Sequence, residues 1–300
     1  MLKKFIGCLV GVAVGDALGS LYEGLSSLEF KFEEPKFLRW TDDAHMTIGV
    51  AESLIEKRGF DGDHMARTFL KNYEDEPWRG YAYGPPAIFR MIRSGVKWEK
   101  AAKTLFNGEG SYGNGGAMRV APIGLFYHDN PKALREVAEA ASGITHAHEL
   151  GREGAVMQAY AVSLALRSGY KSELDPNDFL DKLIEFTENE IYREKLEMAK
   201  RLLDEKSKLR IVSELGNGIE AYNSVPTAIY SSLKGGFEES VCYAIGLGGD
   251  TDTIGAMTGA ISGARYGIDA IPERWRDKLE RGKYIEKLAE KLFFIKVKGE

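Results

Sequence analysis

Two short segments concentrate oxygen donors at positions where a chain turns. Thr41-Asp42-Asp43 follows Trp40 and precedes an apolar periodicity that begins near residue 45, and Gly248-Gly249-Asp250-Thr251-Asp252-Thr253 precedes a second helical pattern. Carboxylates at i and i+2 on a turn can converge on one cation, while neighbouring glycines let the backbone bend tightly and leave room for a ligand. Donors that are all oxygen, with no cysteine and no required histidine, suit Mg²⁺ or Mn²⁺ better than zinc. The same residues are also good helix caps. One cap per helix is enough, however, and each segment carries two acids and at least one threonine, a crowding whose repulsion a divalent cation would relieve. On residue chemistry alone, metal binding and capping both stand.

A third segment, Ser111-Tyr112-Gly113-Asn114-Gly115-Gly116-Ala117-Met118, follows Phe106 by a few residues. Consecutive backbone N–H groups of a glycine-rich turn can cradle a diphosphate, and nearby aromatic rings can hold a purine. A plain connecting loop has the same composition. His146 and His148 stand at i and i+2, unlike the i, i+4 pair of a helical zinc site, and a hydrogen-bonded structural histidine is the preferred reading for His148.

These segments need helices to hold them. Apolar residues recur at helical spacing over 45–57 and 148–167, and Asp175-Pro176-Asn177-Asp178 has the form of a helix opener. Strand alternation is arguable only for Phe30 to Phe32 and Phe293 to Val297. Gly7, Gly11, Gly15 and Gly19 recur every four residues, as do Gly255, Gly259, Gly263 and Gly267. Each set makes a side-chain-free stripe on a helix, and two mutually packed core helices are the expected use. Lys3, Lys4 and the run from Phe5 to Val14 imitate a secretory signal, but Asp16 ends the apolar run well short of the roughly 20 residues of a membrane span. Among 300 residues, 40 are basic and 45 acidic, so a net charge of −5 provides no global field for nucleic acid or an anionic membrane. Cys8 and Cys242 form no CxxC pair, which fits a reducing, cytoplasmic setting. Of the 34 glycines, 13 lie in the two stripes, the glycine loop and the Gly248 to Thr253 segment. Residues 171–212 read as a peripheral, charged helical layer on one all-α domain spanning residues 1–300.

Taken in order, Gly15-Asp16-Ala17-Leu18-Gly19 with Glu23, Trp40-Thr41-Asp42-Asp43, Gly113-Asn114-Gly115-Gly116-Ala117-Met118-Arg119, Thr145-His146 and Gly248-Gly249-Asp250-Thr251-Asp252-Thr253 resemble the ADP-ribosylglycohydrolase family from about residue 5 to about residue 275. The wording of the glycine loop and of the last motif looks most like the branch acting on serine-linked ADP-ribose, poly(ADP-ribose) and O-acetyl-ADP-ribose. The resemblance implies a compact orthogonal helical bundle with a binuclear Mg²⁺ centre, Mn²⁺ being possible, in a cleft. It implies that Thr41, Asp42, Asp43 and Asp252 hold one ion, and that Glu23, Asp250, Asp252 and Thr253 hold the other. It places Phe106 and Tyr112 around adenine, Ser111, Gly113, Asn114, Gly115 and Gly116 at the diphosphate and ribose, and His146 at a phosphate. Glu23, on a segment expected to move as a lid, would be the acid/base, with Asp42 and Asp43 completing the catalytic set. The partner would be an ADP-ribose-containing small molecule or an ADP-ribosylated protein. Ala44 departs from the family's usual threonine. Two alternatives are a non-catalytic ADP-ribose binder or crystallin-like protein, and a DxD glycosyltransferase read from Asp250-Thr251-Asp252, although the latter needs an α/β domain.

Overall fold

The computed structural model describes residues 1–26, 31–169 and 174–299. Among them every regular element is helical, and β pairing is limited to isolated bridges. The α/β architecture of a DxD glycosyltransferase is therefore not the one this chain adopts.

The core is organised by two helices, α1 (Leu2–Gly19) and, late in the chain, a helix over Thr251–Tyr266. Every residue of α1 from Lys4 to Gly19 is buried, which explains why its sequence imitates a signal segment: a helix apolar all round belongs in an interior. The two glycine stripes face each other, antiparallel. A Cβ on Gly11 would stand 2.2 Å from the Gly259 carbonyl oxygen, one on Gly15 2.0 Å from that of Gly255, and one on Gly263 2.0 Å from that of Gly7. Only glycine permits backbones to approach so closely. The antiparallel seam has a chemical consequence, because it brings the C-terminal end of α1 to the N-terminal end of the Thr251–Tyr266 helix. There the Thr251 hydroxyl donates to the Gly19 carbonyl at 2.8 Å.

Two more helices complete the frame, α2 (Asp42–Lys57) and α3 (Glu149–Arg167); the Thr251–Tyr266 helix is hereafter α4. Both α2 and α3 match the periodicities over 45–57 and 148–167. Asp175 caps the helix Pro176–Phe186 by accepting from the Asn177 N–H at 2.9 Å. Within the described part of the charged layer, the helices Pro176–Phe186, Glu190–Arg201 and Lys208–Leu215 bury Leu180, Leu183, Leu196 and Ile211 and leave their charged faces outward; residues 171–173 lie outside the described residues. Phe293 to Val297 is not a strand. It lies in the helix Gly282–Lys298, whose buried Ile285, Leu288, Ala289 and Leu292 keep helical spacing, so the short alternation after them is coincidental. Lys31 and Phe32 form no strand, and Phe30 lies outside the described residues. One cluster of buried side chains runs from Phe5 to Leu292. Among the described residues no helix is long and apolar enough to cross a membrane.

Candidate active site

The start of α2 is not capped by its own residues. Thr41 occupies the N-cap position without a side-chain cap bond. Asp16, projecting from the buried end of α1, takes that role: its carboxylate accepts from the Thr41 N–H at 2.9 Å, the Thr41 hydroxyl at 2.8 Å and the Ala44 N–H at 2.9 Å. Asp42 and Asp43 are thereby released from capping, and Asp43 Oδ1 is buried with no hydrogen-bond partner. A buried carboxylate oxygen without a donor is costly unless something absent from the protein's own atoms satisfies it.

At α4 the pattern repeats. Asp250 is the N-cap residue but makes no cap bond; it accepts from the Asn114 amide instead. Asp252 accepts from the adjacent Thr253 N–H at 2.7 Å. Neither N-cap residue therefore makes a side-chain cap bond at its own helix start, and Asp252 satisfies one first-turn N–H of α4. The turn after α1 delivers Glu23 to the same place, because the Gly24 N–H bonds to the Gly249 carbonyl and the Gly249 N–H to the Leu25 carbonyl, both at 3.0 Å. Carboxylate oxygens of Glu23, Asp250 and Asp252 lie within 4.8 Å of one another. These bonds tie the residues just after Glu23 to the turn that begins α4.

The electrostatics follow from burial and crowding. Burial first, then the Asp252 charge, pushes the Asp42 carboxyl up to about 7; burial and Asp250 do the same to Asp252, also to about 7. Asp16 and Asp43 are held well above the usual carboxylate range by burial and next by Asp252, and Asp250 is raised mainly by burial. For the exposed Glu23 the Asp252 charge is the larger cause of its rise. Acids gathered this tightly keep protons unless positive charge is supplied.

A cavity of about 360 Å³ opens above these groups. Its wall includes Glu23, Asp42, Asp43, Asp250, Asp252 and Thr253, together with Phe106, Ser111, Gly113, Asn114, Gly115 and His146. Of the sequence-predicted site residues, Thr41, Tyr112 and Gly116 are not on that wall. The Thr41 hydroxyl donates to the Asp16 carboxylate at 2.8 Å. The Tyr112 ring packs edge-on against His148 at 5.6 Å and near Tyr222 at 6.2 Å. Gly116 is buried where a Cβ would stand 2.1 Å from Ser142 Oγ. Phe106 is 57% exposed and, like Asn107, has a left-handed backbone, φ 53° and 58°. Strained non-glycine residues of this kind persist where surrounding structure holds them, commonly at ligand sites. The glycine loop is anchored at both edges: the Asn114 N–H donates to Ile219 O at 2.9 Å, and the Ala221 N–H donates to Tyr112 O at 3.0 Å.

Sequence reasoning missed the support behind this wall. Trp40 is held by its indole N–H on Glu280 O at 2.9 Å and by the Arg79 guanidinium 3.6 Å over its ring, while Arg79 is itself paired with Glu280 at 2.7 Å. Those partners lie far apart in the chain and carry no local signal. Tyr83, Met46, Met118 and Ile219 also line the cavity. Ala44 does not: it borders a small apolar space with Leu9, Val12 and Ala13.

The chain is similar to known proteins over nearly its whole length. The sequence model for ADP-ribosylglycohydrolase matches residues 1–298. ADP-ribosylhydrolase ARH3 of Homo sapiens is 36% identical over 338 residues, covering 97% of this chain and 93% of that protein. ADP-ribosylarginine hydrolase Tri1 of Pseudomonas putida (strain GB-1) is 24% identical over 320 residues, covering 97% and 78% respectively. A solved structure described as an ADP-ribosylglycohydrolase-related protein complex superposes with a TM-score of 0.79 at 29% identity, over 99% of each chain. The chain belongs to the ADP-ribosylglycohydrolase family.

Proposed function

We propose that the protein hydrolyses the glycosidic bond joining the distal ribose of ADP-ribose to a protein side chain or to a small leaving group, and releases ADP-ribose. Residues 1–300 act as one catalytic domain in the cytoplasm, on ADP-ribosylated proteins or ADP-ribose derivatives. The observation that carries this reading is the convergence of two acidic helix starts and Glu23 on one cavity, with neither N-cap residue, Thr41 or Asp250, making a side-chain cap bond.

The donor set fits hard divalent cations, being all oxygen and containing the unpartnered Asp43 Oδ1. Thr41, Asp42, Asp43 and Asp252 would hold one Mg²⁺, and Glu23, Asp250, Asp252 and Thr253 a second, with Mn²⁺ an acceptable replacement. Bound there, the ions would supply positive charge to the hydroxyls of the distal ribose and to a water. Glu23 is the one exposed carboxyl of the cluster and can reach a leaving group at the cavity mouth. As the bond to the anomeric carbon breaks, its electron pair stays with the leaving oxygen, which takes the Glu23 proton. The attacking water then returns a proton to the Glu23 carboxylate as it adds to the sugar. Asp42 and Asp43, at the buried end, hold the sugar in line. Phe106 offers a face to the adenine, and the Ser111 to Gly115 stretch of the loop offers polar groups to the diphosphate. The wording of Ser111-Tyr112-Gly113-Asn114 and Asp250-Thr251-Asp252-Thr253-Ile254, which resembles the serine, poly(ADP-ribose) and O-acetyl branch, supports such a linkage, and the identity to the arginine hydrolase Tri1 is only 24%.

The test presents serine-linked, arginine-linked and O-acetyl ADP-ribose side by side, with Mg²⁺ or with EDTA, and measures free ADP-ribose. Release from the serine or O-acetyl conjugate that EDTA suppresses is expected, and Asp252→Ala should lower it by about a hundredfold or more. No release from any conjugate, or full activity of Asp252→Ala, refutes the scheme; cleavage of the arginine conjugate alone changes the linkage only.

A further inference from the structure

We infer that Arg119 and Thr145 are positioning residues that fix His146 in one tautomer, with its proton on Nε2, so that the glycine-loop wall presents a permanent neutral donor to an oxygen that can only accept. The argument is a count of protons. The Arg119 side chain is fully buried, and its guanidinium donates to Thr145 Oγ1 at 2.7 Å, Gly115 O at 3.0 Å and Ala141 O at 2.8 Å. A guanidinium has no acceptor to offer, so Thr145 Oγ1 must be the acceptor in that contact. The hydroxyl has one proton left to place. Thr145 is 1% exposed, and its other partner among the described residues is His146 Nδ1 at 2.8 Å.

If Nδ1 carried a proton, Thr145 Oγ1 would face two donors and its own buried O–H would have no acceptor, which costs the desolvation of that group. With Nδ1 bare, the Thr145 hydroxyl proton and the Nδ1 lone pair satisfy each other. The ring proton then belongs to Nε2. Burial, and next the Arg119 charge, pull the imidazole down to about 3, so the ring is neutral as well as oriented.

Geometry shows where Nε2 points. A Cβ on Gly115 would stand 2.8 Å from Nε2 and 2.5 Å from Cε1, and one on Gly113 3.6 Å from Nε2. The ring edge therefore lies along the glycine loop, on the cavity wall it shares with Gly113, Asn114 and Gly115. The same guanidinium that sets the tautomer also grips the Gly115 carbonyl, so donor and loop are held in register by one side chain. Identifying the accepting oxygen as one on the diphosphate of ADP-ribose rests on the function proposed above; the tautomer does not.

The experiment pairs ¹⁵N NMR of the histidine ring nitrogens with ADP-ribose calorimetry on the intact protein in Mg²⁺. A protonated, pyrrole-type Nε2 and a bare, pyridine-type Nδ1 are expected for His146 in the wild type and in Thr145→Ser. Thr145→Val should lose that pure pattern and bind ADP-ribose about tenfold more weakly, with Thr145→Ser restoring both. His146→Gln, whose amide N–H falls near the Nε2 position, should keep affinity within about threefold, while His146→Phe should lose about tenfold or more. A proton on Nδ1 in the wild type, a charged ring, or a Thr145→Val protein with unchanged spectrum and affinity overturns the inference. Should Thr145→Val fail to fold, the wild-type spectrum and the two His146 variants decide it. A locked Nε2–H in a protein that does not bind ADP-ribose upholds the tautomer and refutes the proposed function instead.

Discussion

At the scale of single residues, Asp16 matters as much as the acids that face the cavity. It is completely buried and never reaches the wall, yet three donors around Thr41 and Ala44 end on its carboxylate. By capping α2 from outside, it leaves Asp42 and Asp43 free while fixing the backbone that aims them. Asp16→Asn preserves shape but turns one acceptor oxygen into a donor facing donors. Supporting groups of this kind are typically worth about 10- to 100-fold in metal affinity. Asp16→Asn should accordingly raise the Mg²⁺ concentration needed for half-maximal ADP-ribose release by about that factor, with helical circular dichroism retained. Half-maximal Mg²⁺ equal to the wild type would show that Asp42 and Asp43 do not depend on this cap.

At the scale of elements, the α1 and α4 seam is what carries Glu23, Asp16 and the Asp250 turn to one place. Its glycines differ sharply from others in the chain in what a methyl would meet. On Gly11 the Cβ falls 2.2 Å from a backbone oxygen that cannot move aside, whereas on Gly143, the last residue of the helix Pro131–Gly143, the nearest atom is Arg152 Cδ at 3.9 Å. Gly11→Ala should destabilise the protein by at least about 2 kcal/mol in urea titration, because overpacked helices must separate. Gly143→Ala should be neutral or stabilising by up to about 1 kcal/mol, since alanine restricts the unfolded chain more than glycine does. Equal effects of the two substitutions would mean that the seam is not closely packed in solution.

For the molecule as a whole, the clustered acids tie stability to pH and to divalent cations. Asp42 and Asp252 have folded-state values near 7 in the protein alone, well above their unfolded range near 4. A carboxyl that binds its proton more tightly when folded contributes its stability at low pH and loses it as pH rises from the unfolded to the folded value. In EDTA, the contribution of Asp42 and Asp252 should therefore fall between about pH 4 and pH 7. A cation competes with those protons, so the rise in melting temperature on adding Mg²⁺ should be small near pH 5 and largest at pH 7 and above. Calorimetric scans at several pH values with Mg²⁺ or EDTA measure this directly. A Mg²⁺ effect that is constant across pH would separate the ion from the carboxylate cluster.

Some of this was written locally in the chain. Helical spacing marks α2 and α3, the four-residue glycine repeats announce a close helix pair, and the acids and glycine loop announce oxygen and phosphate chemistry, because residue type and period act over one or two turns. The family resemblance ordered those segments and assigned them roles. Folding decided what lay beyond that range. Local sequence offers Thr41 and Asp250 as caps, but α1 supplies Asp16 from 25 residues away and Asn114 takes the Asp250 oxygen from 136 residues away. Phe106 and Tyr112 stand six residues apart, yet only Phe106 reaches the cavity wall, since Tyr112 turns to His148 and Tyr222. A side chain's chemistry is set by its own atoms, whereas which of its lone pairs and faces remain free depends on neighbours that only the packed helices bring together.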